Sequence, residues 1–131
     1  ERGSRAILNL GHTFGHAFET AIGFSSKLLH GEAVSIGIIA AYKLSSLLGY
    51  CPYQETARVE KHFKTLNLPT SLSYIKNNSF TSKDLINHML KDKKIKDGKI
   101  VFILANGIGE PFISENVDIK DVETILNQLI A

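Results

Sequence analysis

The sequence lacks the pairs of cysteines that form disulfides in small secreted proteins. Its 131 residues include one cysteine, one methionine and no tryptophan. A single cysteine, Cys51, excludes an internal disulfide and fits a reducing compartment, so we expect a cytoplasmic location. The longest apolar run, residues 33–41, is far shorter than a membrane-spanning helix. We therefore expect no membrane association and no signal peptide.

The sequence also lacks an excess of charge of either sign. It has 15 basic and 13 acidic residues, for a net charge of +2, and 44% of its residues are hydrophobic. A nucleic-acid-binding domain ordinarily carries a strong basic excess, so this balance excludes an extended nucleic-acid interface. The length is sufficient to bury a continuous core without disulfides or structural metals.

The hydrophobic pattern predicts a mainly α domain. We expect helices near residues 3–22, 30–48, 52–67 and 81–91, and a terminal helix that begins at Asp118 or Asp121. Glycines at 23 and 49 are predicted to end the first two helices, and Thr81 with Asp84 resembles a capping box. Residues 100–104 and 111–113 flank a turn sequence and predict one short hairpin.

The first predicted helix carries a narrow polar stripe. Arg5, Asn9, His12, His16 and Glu19 recur at helical spacing, while nearly all other positions of this helix are apolar or small. A helix that simply faces water has a wide polar face, whereas a thin line of ionisable groups is typical of an active-site wall.

Glycines interrupt the same region of the sequence. Gly11 and Gly15 lie four residues apart in the first predicted helix, and Gly37 lies inside the second. Glycine disfavours helices, so these positions predict close approach by another backbone or by a ligand.

Three histidines are candidate metal ligands. His12 and His16 form H-x-x-x-H, which places two imidazoles on one helix face, and His30 begins the next predicted helix. The alternative is that these are hydrogen-bonded structural histidines. Glu19 and Glu32 are either acceptors for imidazole N–H groups or helix-end carboxylates, and we favour the second interpretation.

Other charged groups are candidates for binding an anion. Arg5 one turn before Asn9 places a guanidinium beside an amide, a pair suited to phosphate or carboxylate oxygens. The alternative for Arg5 is a surface salt bridge to Glu1. Lys93 and Lys94, on composition alone, are most simply solvated loop charges.

These motifs together resemble 3-dehydroquinate synthase. The resemblance rests on three sequence motifs, E-R-G-x-R-x-x-L-N-x-G-H-T-x-G-H-A-x-E at residues 1–19, H-G-E-x-V-x-x-G at 30–37 and D-K-K at 92–94. The resemblance implies that residues 1–131 form the helical C-terminal domain of such an enzyme. An N-terminal domain that binds NAD would lie outside this sequence.

The resemblance also implies roles for individual residues. His12 and His30 correspond to ligands of a catalytic zinc or cobalt ion, and the third ligand would be a glutamate of a preceding segment. Glu1 and His16 correspond to residues with acid/base roles. The substrate-binding positions are Arg5, Asn9 and one of the two lysines Lys93 and Lys94.

The implied reaction converts 3-deoxy-arabino-heptulosonate 7-phosphate into 3-dehydroquinate and phosphate, in the shikimate pathway of aromatic amino acid biosynthesis. We expect a homodimer for the full-length enzyme and no activity for the isolated 131 residues. Alternatives are a related sugar-phosphate cyclase making deoxyinosose or aminodehydroquinate, a relative of metal-dependent alcohol dehydrogenases, and a helical binding module with structural histidines.

Overall fold

The computed structural model describes residues 10–22, 30–74, 81–92, 95–96, 99–115 and 117–130. Within these ranges there are five α-helices, one short 3₁₀ turn and two pairs of antiparallel strands. The helices are α1 (His12–Ile22), α2 (His30–Leu47), α3 (Tyr53–Thr65), α4 (Ser82–Asp92) and α5 (Ile119–Ile130). The strands are β1 (Ile95–Lys96), β2 (Lys99–Ile100), β3 (Phe102–Ala105) and β4 (Pro111–Ser114). The mainly α fold is therefore confirmed.

Helix α2 lies at the centre of the domain. It packs against α1, α3, α5 and β3, because its sequence is apolar on nearly every face. The main core surrounds it and includes fully buried side chains of α1, α2, α4, β3 and α5, among them Phe14, Phe18, Ile36, Leu44, Leu85, Phe102 and Leu126. No helix in the described ranges is long and apolar enough to cross a membrane.

The helix that carries His12 and His16 does not pass through Gly11, whereas the periodicity predicts one continuous helix there. We expected one helix from near Gly3, but α1 starts at His12, and Gly11 before it has a φ of +85°. This left-handed conformation interrupts the helical path at a residue that lacks a Cβ. The prediction that the whole stripe lies on one continuous helix is therefore wrong at Gly11.

Local signals at three other helix ends are confirmed, whereas Gly23, predicted to end the first helix, lies outside the described residues. The backbone N–H of Thr81 donates to the Asp84 carboxylate at 2.8 Å, and the Asp84 N–H donates to the Thr81 hydroxyl at 3.2 Å. This is the reciprocal capping box predicted from the sequence. Asp118 accepts from the Lys120 N–H at 2.9 Å, just before α5. Gly49 follows α2 with a φ of +86°.

The predicted hairpin is formed by β3 and β4, with Phe102 opposite Ser114 and Ala105 opposite Pro111. The buried Ser45 of α2 connects this hairpin to the helix. Its hydroxyl donates to the Ala41 carbonyl at 2.7 Å and accepts from the Ala105 N–H at 2.9 Å. The pair β1–β2, two residues per strand, was not predicted.

Candidate functional site

Helices α1 and α2 touch through their glycines. A Cβ added at Gly37 of α2 would collide with the Gly11 carbonyl oxygen and would lie 2.9 Å from the Gly15 nitrogen. A Cβ added at Gly11 would lie 2.6 Å from the Ile38 nitrogen. The predicted close approach is confirmed, and its partner is backbone rather than a ligand. These glycines therefore set the distance between the two helices.

The register of this contact positions two candidate metal ligands. Gly11 contacts Gly37, and Gly15 contacts Ala33. Moving forward by four residues from Gly11 to Gly15 therefore corresponds to moving back by four residues in α2, so the two segments run antiparallel. His12 lies three residues before Gly15, and His30 lies three residues before Ala33. At about 1.5 Å per residue, each backbone position is about 4.5 Å along its helix from the contact. The two histidines therefore flank one helix–helix contact from opposite sides.

His12 and His16 share one face of α1. Both are half-buried, and they are four residues apart in a regular helix. The His16 carbonyl also accepts a hydrogen bond from the Thr20 hydroxyl at 2.9 Å. Their spacing places the two imidazoles about one turn apart on the same side. The structure thus confirms their shared face, while which of them binds a metal stays a prediction.

The carboxylates nearby differ in burial. Glu19, on α1, is 8% exposed, whereas Glu32 is half-buried in the first turn of α2. Burial of a carboxylate is costly unless it has a partner, and Glu19 lies in the last turn of α1. Our interpretation of Glu19 as a helix-end group stays a prediction. The position of Glu32 fits the favourable end of a helix dipole.

Several predicted site residues lie outside the described ranges. These are Glu1, Arg5, Asn9, Lys93 and Lys94. His30 begins α2, but its side chain is also outside the description.

The described residues include side chains of the types that bind zinc, namely imidazoles and carboxylates. Zinc-like ions prefer imidazole and carboxylate ligands, and α1 presents both. Among the residues described, no three His, Cys, Asp or Glu side chains are close enough together to hold an ion. The predicted ligand pair, His12 and His30, therefore remains a prediction.

A groove between α2 and α3 was not predicted from the sequence. It has a volume of about 660 Å³ and lies beside residue 10, where the chain enters α1. Apolar side chains form most of its lining, namely Leu10, Ile38, Tyr42, Val59, Phe63 and Ile108. We call this cavity the α2–α3 groove. Its residues are scattered over the sequence and share no motif, so no local signal identified it.

Tyr42 lies at the bottom of the α2–α3 groove. Burial raises the pKa of its phenol, and electrostatic repulsion from Cys51 and Glu55 raises it further. A hydrogen bond with the Gly109 backbone lowers the pKa by a smaller amount than burial raises it. Tyr42 therefore remains neutral and hydrogen-bonded under ordinary conditions.

Glu55 of α3 holds the hairpin turn at the edge of this groove. Its carboxylate accepts from the Ile108 N–H at 2.7 Å, and Gly107 lies so close that a Cβ there would be 2.8 Å from the same oxygen. The turn is therefore fixed against α3, and Ile108 extends over the groove.

Comparison with known proteins identifies relatives along the whole chain. Residues 1–95 match the family described as 3-dehydroquinate synthase C-terminal. The chain is 45% identical to the 3-dehydroquinate synthase of Ruegeria pomeroyi over 131 residues, which are 35% of that protein. It is 47% identical to the Caulobacter vibrioides 3-dehydroquinate synthase over 118 residues, which are 90% of this chain and 32% of that one. The chain thus spans about a third of the length of these relatives.

Solved structures show the same fold in related cyclases. A 2-epi-5-epi-valiolone synthase from Streptomyces hygroscopicus, with NAD+ and Zn2+ bound, matches with a TM-score of 0.76 and 27% identity over 92% of this chain and 32% of its own. A 2-deoxy-scyllo-inosose synthase complexed with carbaglucose-6-phosphate, NAD+ and Co2+ matches with a TM-score of 0.70 and 23% identity, over 93% of this chain and 34% of its own.

Proposed function

Because this chain belongs to the 3-dehydroquinate synthase family, in its C-terminal part, we propose that residues 1–131 form the metal- and substrate-binding domain of such an enzyme. The complete enzyme converts 3-deoxy-arabino-heptulosonate 7-phosphate into 3-dehydroquinate and phosphate. Residues 1–131 correspond to about a third of the relatives' length, and the remaining part of the enzyme would include the domain that binds NAD. It acts as a cytoplasmic homodimer.

The observation that carries this proposal is the identity of 45% to a 3-dehydroquinate synthase across every residue of the chain. The solved cyclases that make other products share 27% and 23%. Function resides in particular side chains rather than in the fold, so the closer sequence relationship outweighs the shared architecture.

The metal site is proposed to use side chains from both helices at the glycine contact. His12 and His30 would hold a zinc or cobalt ion together with a carboxylate from the preceding part of the enzyme. When bound, this ion supplies a Lewis acid that polarises a substrate hydroxyl and eases its oxidation by NAD. The glycine contact fixes the distance between the two helices and would thereby hold the backbones of both ligands in place.

The remaining residues bind substrate and move protons. Arg5 and one of the two lysines, Lys93 or Lys94, bind the phosphate, and Asn9 donates to a substrate oxygen. Glu1 and His16 exchange protons with the substrate during elimination and ring closure. His16 lies one turn beyond His12 on the same face of α1, a position from which its imidazole would reach a substrate held at the metal.

A related sugar-phosphate cyclase is the second candidate. It is supported by the inosose synthase neighbour, which was solved with an analogue of glucose 6-phosphate. That enzyme is 23% identical to this chain, which supports a common fold and not a common substrate.

The proposal is tested in a joined protein, in which the first two-thirds of the Ruegeria pomeroyi relative precede residues 1–131. Phosphate release is measured with NAD and zinc, using either the heptulosonate phosphate or glucose 6-phosphate. We expect release from the heptulosonate phosphate alone. Release from glucose 6-phosphate alone would favour the second candidate, and the Ruegeria pomeroyi enzyme is the positive control.

The 131-residue chain by itself provides a second test. We expect it to fold and to release no phosphate, because the NAD domain and one metal ligand are missing. Turnover by this chain alone would contradict the division of the site between two parts of the enzyme.

A further inference from the structure

Helix α1 begins at a glycine. The Gly11 carbonyl accepts from the Gly15 N–H at 2.8 Å, which is the first hydrogen bond of the helix, and Gly11 has a φ of +85°. A residue that is not itself helical but whose carbonyl accepts the first helical bond is the N-cap. Gly11 has no side chain that could bond to the free N–H groups of the first turn. His12 is therefore the first residue of α1, at the end where a helix frays most easily.

The usual apolar support of a helix start is missing from the sequence of α1. In a hydrophobic staple, the residue before the N-cap packs against the fourth residue after the N-cap. In α1 these two residues are Leu10 and Gly15. Glycine has no side chain for the contact, so Leu10 cannot support the helix start in this way.

Leu10 packs on the neighbouring part of the fold instead. Its half-buried side chain lies against a small group of buried residues, which we call the tyrosine cluster and which consists of Tyr42, Cys51 and Ala105. Ile38 of α2 packs against the same cluster, and a Cβ added at Gly11 would lie 2.8 Å from Cγ1 of Ile38. The start of α1 is thus held by a backbone contact at Gly11 and by a side-chain contact at Leu10.

The tyrosine cluster is itself held firmly by hydrogen bonds. The Tyr42 phenol is hydrogen-bonded with the Gly109 backbone, and the Tyr42 carbonyl accepts from the Thr56 hydroxyl at 3.1 Å. The Ala105 N–H donates to the buried Ser45 hydroxyl at 2.9 Å. These bonds join α2, α3 and the hairpin, so Leu10 packs on a fixed surface.

We propose that Leu10 is a positioning residue for His12. By packing on the tyrosine cluster, Leu10 sets the direction in which the chain enters α1, and with it the backbone position from which the His12 side chain extends. This inference rests on the proposed function in one respect, since it takes His12 as a metal ligand. Replacing a residue that orients a metal ligand typically costs about tenfold to a hundredfold in metal affinity.

Metal affinity of the joined protein tests the proposal with two matched truncations. Leu10→Ala and Val59→Ala each remove a half-buried aliphatic side chain from the tyrosine cluster, but Val59 belongs to α3. The dissociation constant for zinc is measured by competition with a chelating dye. We expect Leu10→Ala to raise this constant about tenfold or more, and Val59→Ala to change it by less than about twofold.

A conservative variant separates positioning from loss of stability. Leu10→Met preserves the side-chain volume, so we expect its dissociation constant to stay within about threefold of the unsubstituted value. Leu10→Val is the milder truncation if Leu10→Ala does not fold, and it should weaken zinc binding severalfold. Urea unfolding of Leu10→Ala and Val59→Ala should show similar losses of stability, because both side chains leave the same cluster.

Hydrogen exchange without metal gives a readout that does not involve the ion. The Gly15 N–H makes the first bond of α1, so its exchange reports opening of this end of the helix. In the metal-free joined protein, we expect Leu10→Ala to speed exchange at Gly15 severalfold relative to Phe18 in the middle of α1. Val59→Ala should leave this ratio unchanged.

Each contrary result is distinct. Equal dissociation constants in Leu10→Ala and Val59→Ala overturn the proposal, because a purely structural role predicts the same effect for both. A Leu10→Met protein that binds zinc as weakly as Leu10→Ala overturns it as well. If the unsubstituted joined protein binds no zinc, the proposed function is refuted, and an unchanged exchange ratio at Gly15 in Leu10→Ala would then overturn the role of Leu10 separately.

Discussion

Replacement of Gly37 by alanine is the sharpest perturbation of the contact between α1 and α2. The added Cβ would overlap the Gly11 carbonyl oxygen and lie 2.9 Å from the Gly15 nitrogen, where ordinary contacts begin at 3.4 Å. Both neighbours are backbone atoms, so no side-chain rotation relieves the overlap. The two helices must therefore move apart by at least several tenths of an ångström.

The cost follows from the packing of the core. Overpacking a well-filled interior costs about 1–3 kcal/mol, from which the higher helix propensity of alanine recovers up to about 1 kcal/mol. We expect Gly37→Ala to lower the free energy of unfolding by about 1–2 kcal/mol in urea titrations of the 131-residue chain. In the joined protein, a shift approaching 1 Å in the site would reduce kcat/KM by about a hundredfold.

Gly31→Ala is the matched control for stability, since it lies on the same helix. Gly31 is exposed, and a Cβ added there would meet nothing within 4 Å. We expect this variant to be as stable as the wild type or up to about 1 kcal/mol more stable, because alanine favours the helix. If Gly37→Ala were as stable as Gly31→Ala, the glycine contact would not set the distance between the helices.

Three further substitutions test other parts of the structure. Ser45→Ala leaves the buried Ala105 N–H without its acceptor and should cost about 1–3 kcal/mol in urea unfolding, whereas Thr124→Ala on the surface should cost under about 0.5 kcal/mol. Burial raises the pKa of Tyr42 above 10.0, so the folded state holds the phenol proton more tightly than the unfolded state, and the free energy of unfolding should fall as the pH rises above that value. Tyr42→Phe should make this decrease in stability smaller. An unchanged dependence of stability on pH would contradict the prediction. In the joined protein, Arg5→Lys should lower kcat/KM about tenfold to a hundredfold, since lysine cannot present two parallel donors to phosphate; a change under about threefold would place Arg5 at the surface.

Local features of the fold were accessible from the sequence. Helix periodicity located five helices, and the capping box at Thr81 and Asp84 identified the start of α4, because both signals depend on residues within one turn of each other. The glycines at 11, 15 and 37 indicated close approach. The partner was not specified, since the sequence does not state which backbone a glycine meets.

Features that depend on long-range packing were not accessible. The break at Gly11 was missed because the polar stripe continues through it in the sequence, whereas the backbone there turns with a positive φ. The burial of Glu19 depends on how α1 is covered, and the hydrogen bond from Ile108 to Glu55 joins residues 53 positions apart. The α2–α3 groove likewise arises only when residues from several elements meet.

Metal content of the joined protein and its histidine variants tests the central claim most directly. Elemental analysis is applied to the unsubstituted protein and to His12→Ala, His16→Ala and His30→Ala, with His88→Ala on α4 as the control. We expect His12→Ala and His30→Ala each to lose the ion, and His16→Ala and His88→Ala to retain most of it. Loss of the ion in His16→Ala with retention in His30→Ala would contradict a metal site shared by the two helices.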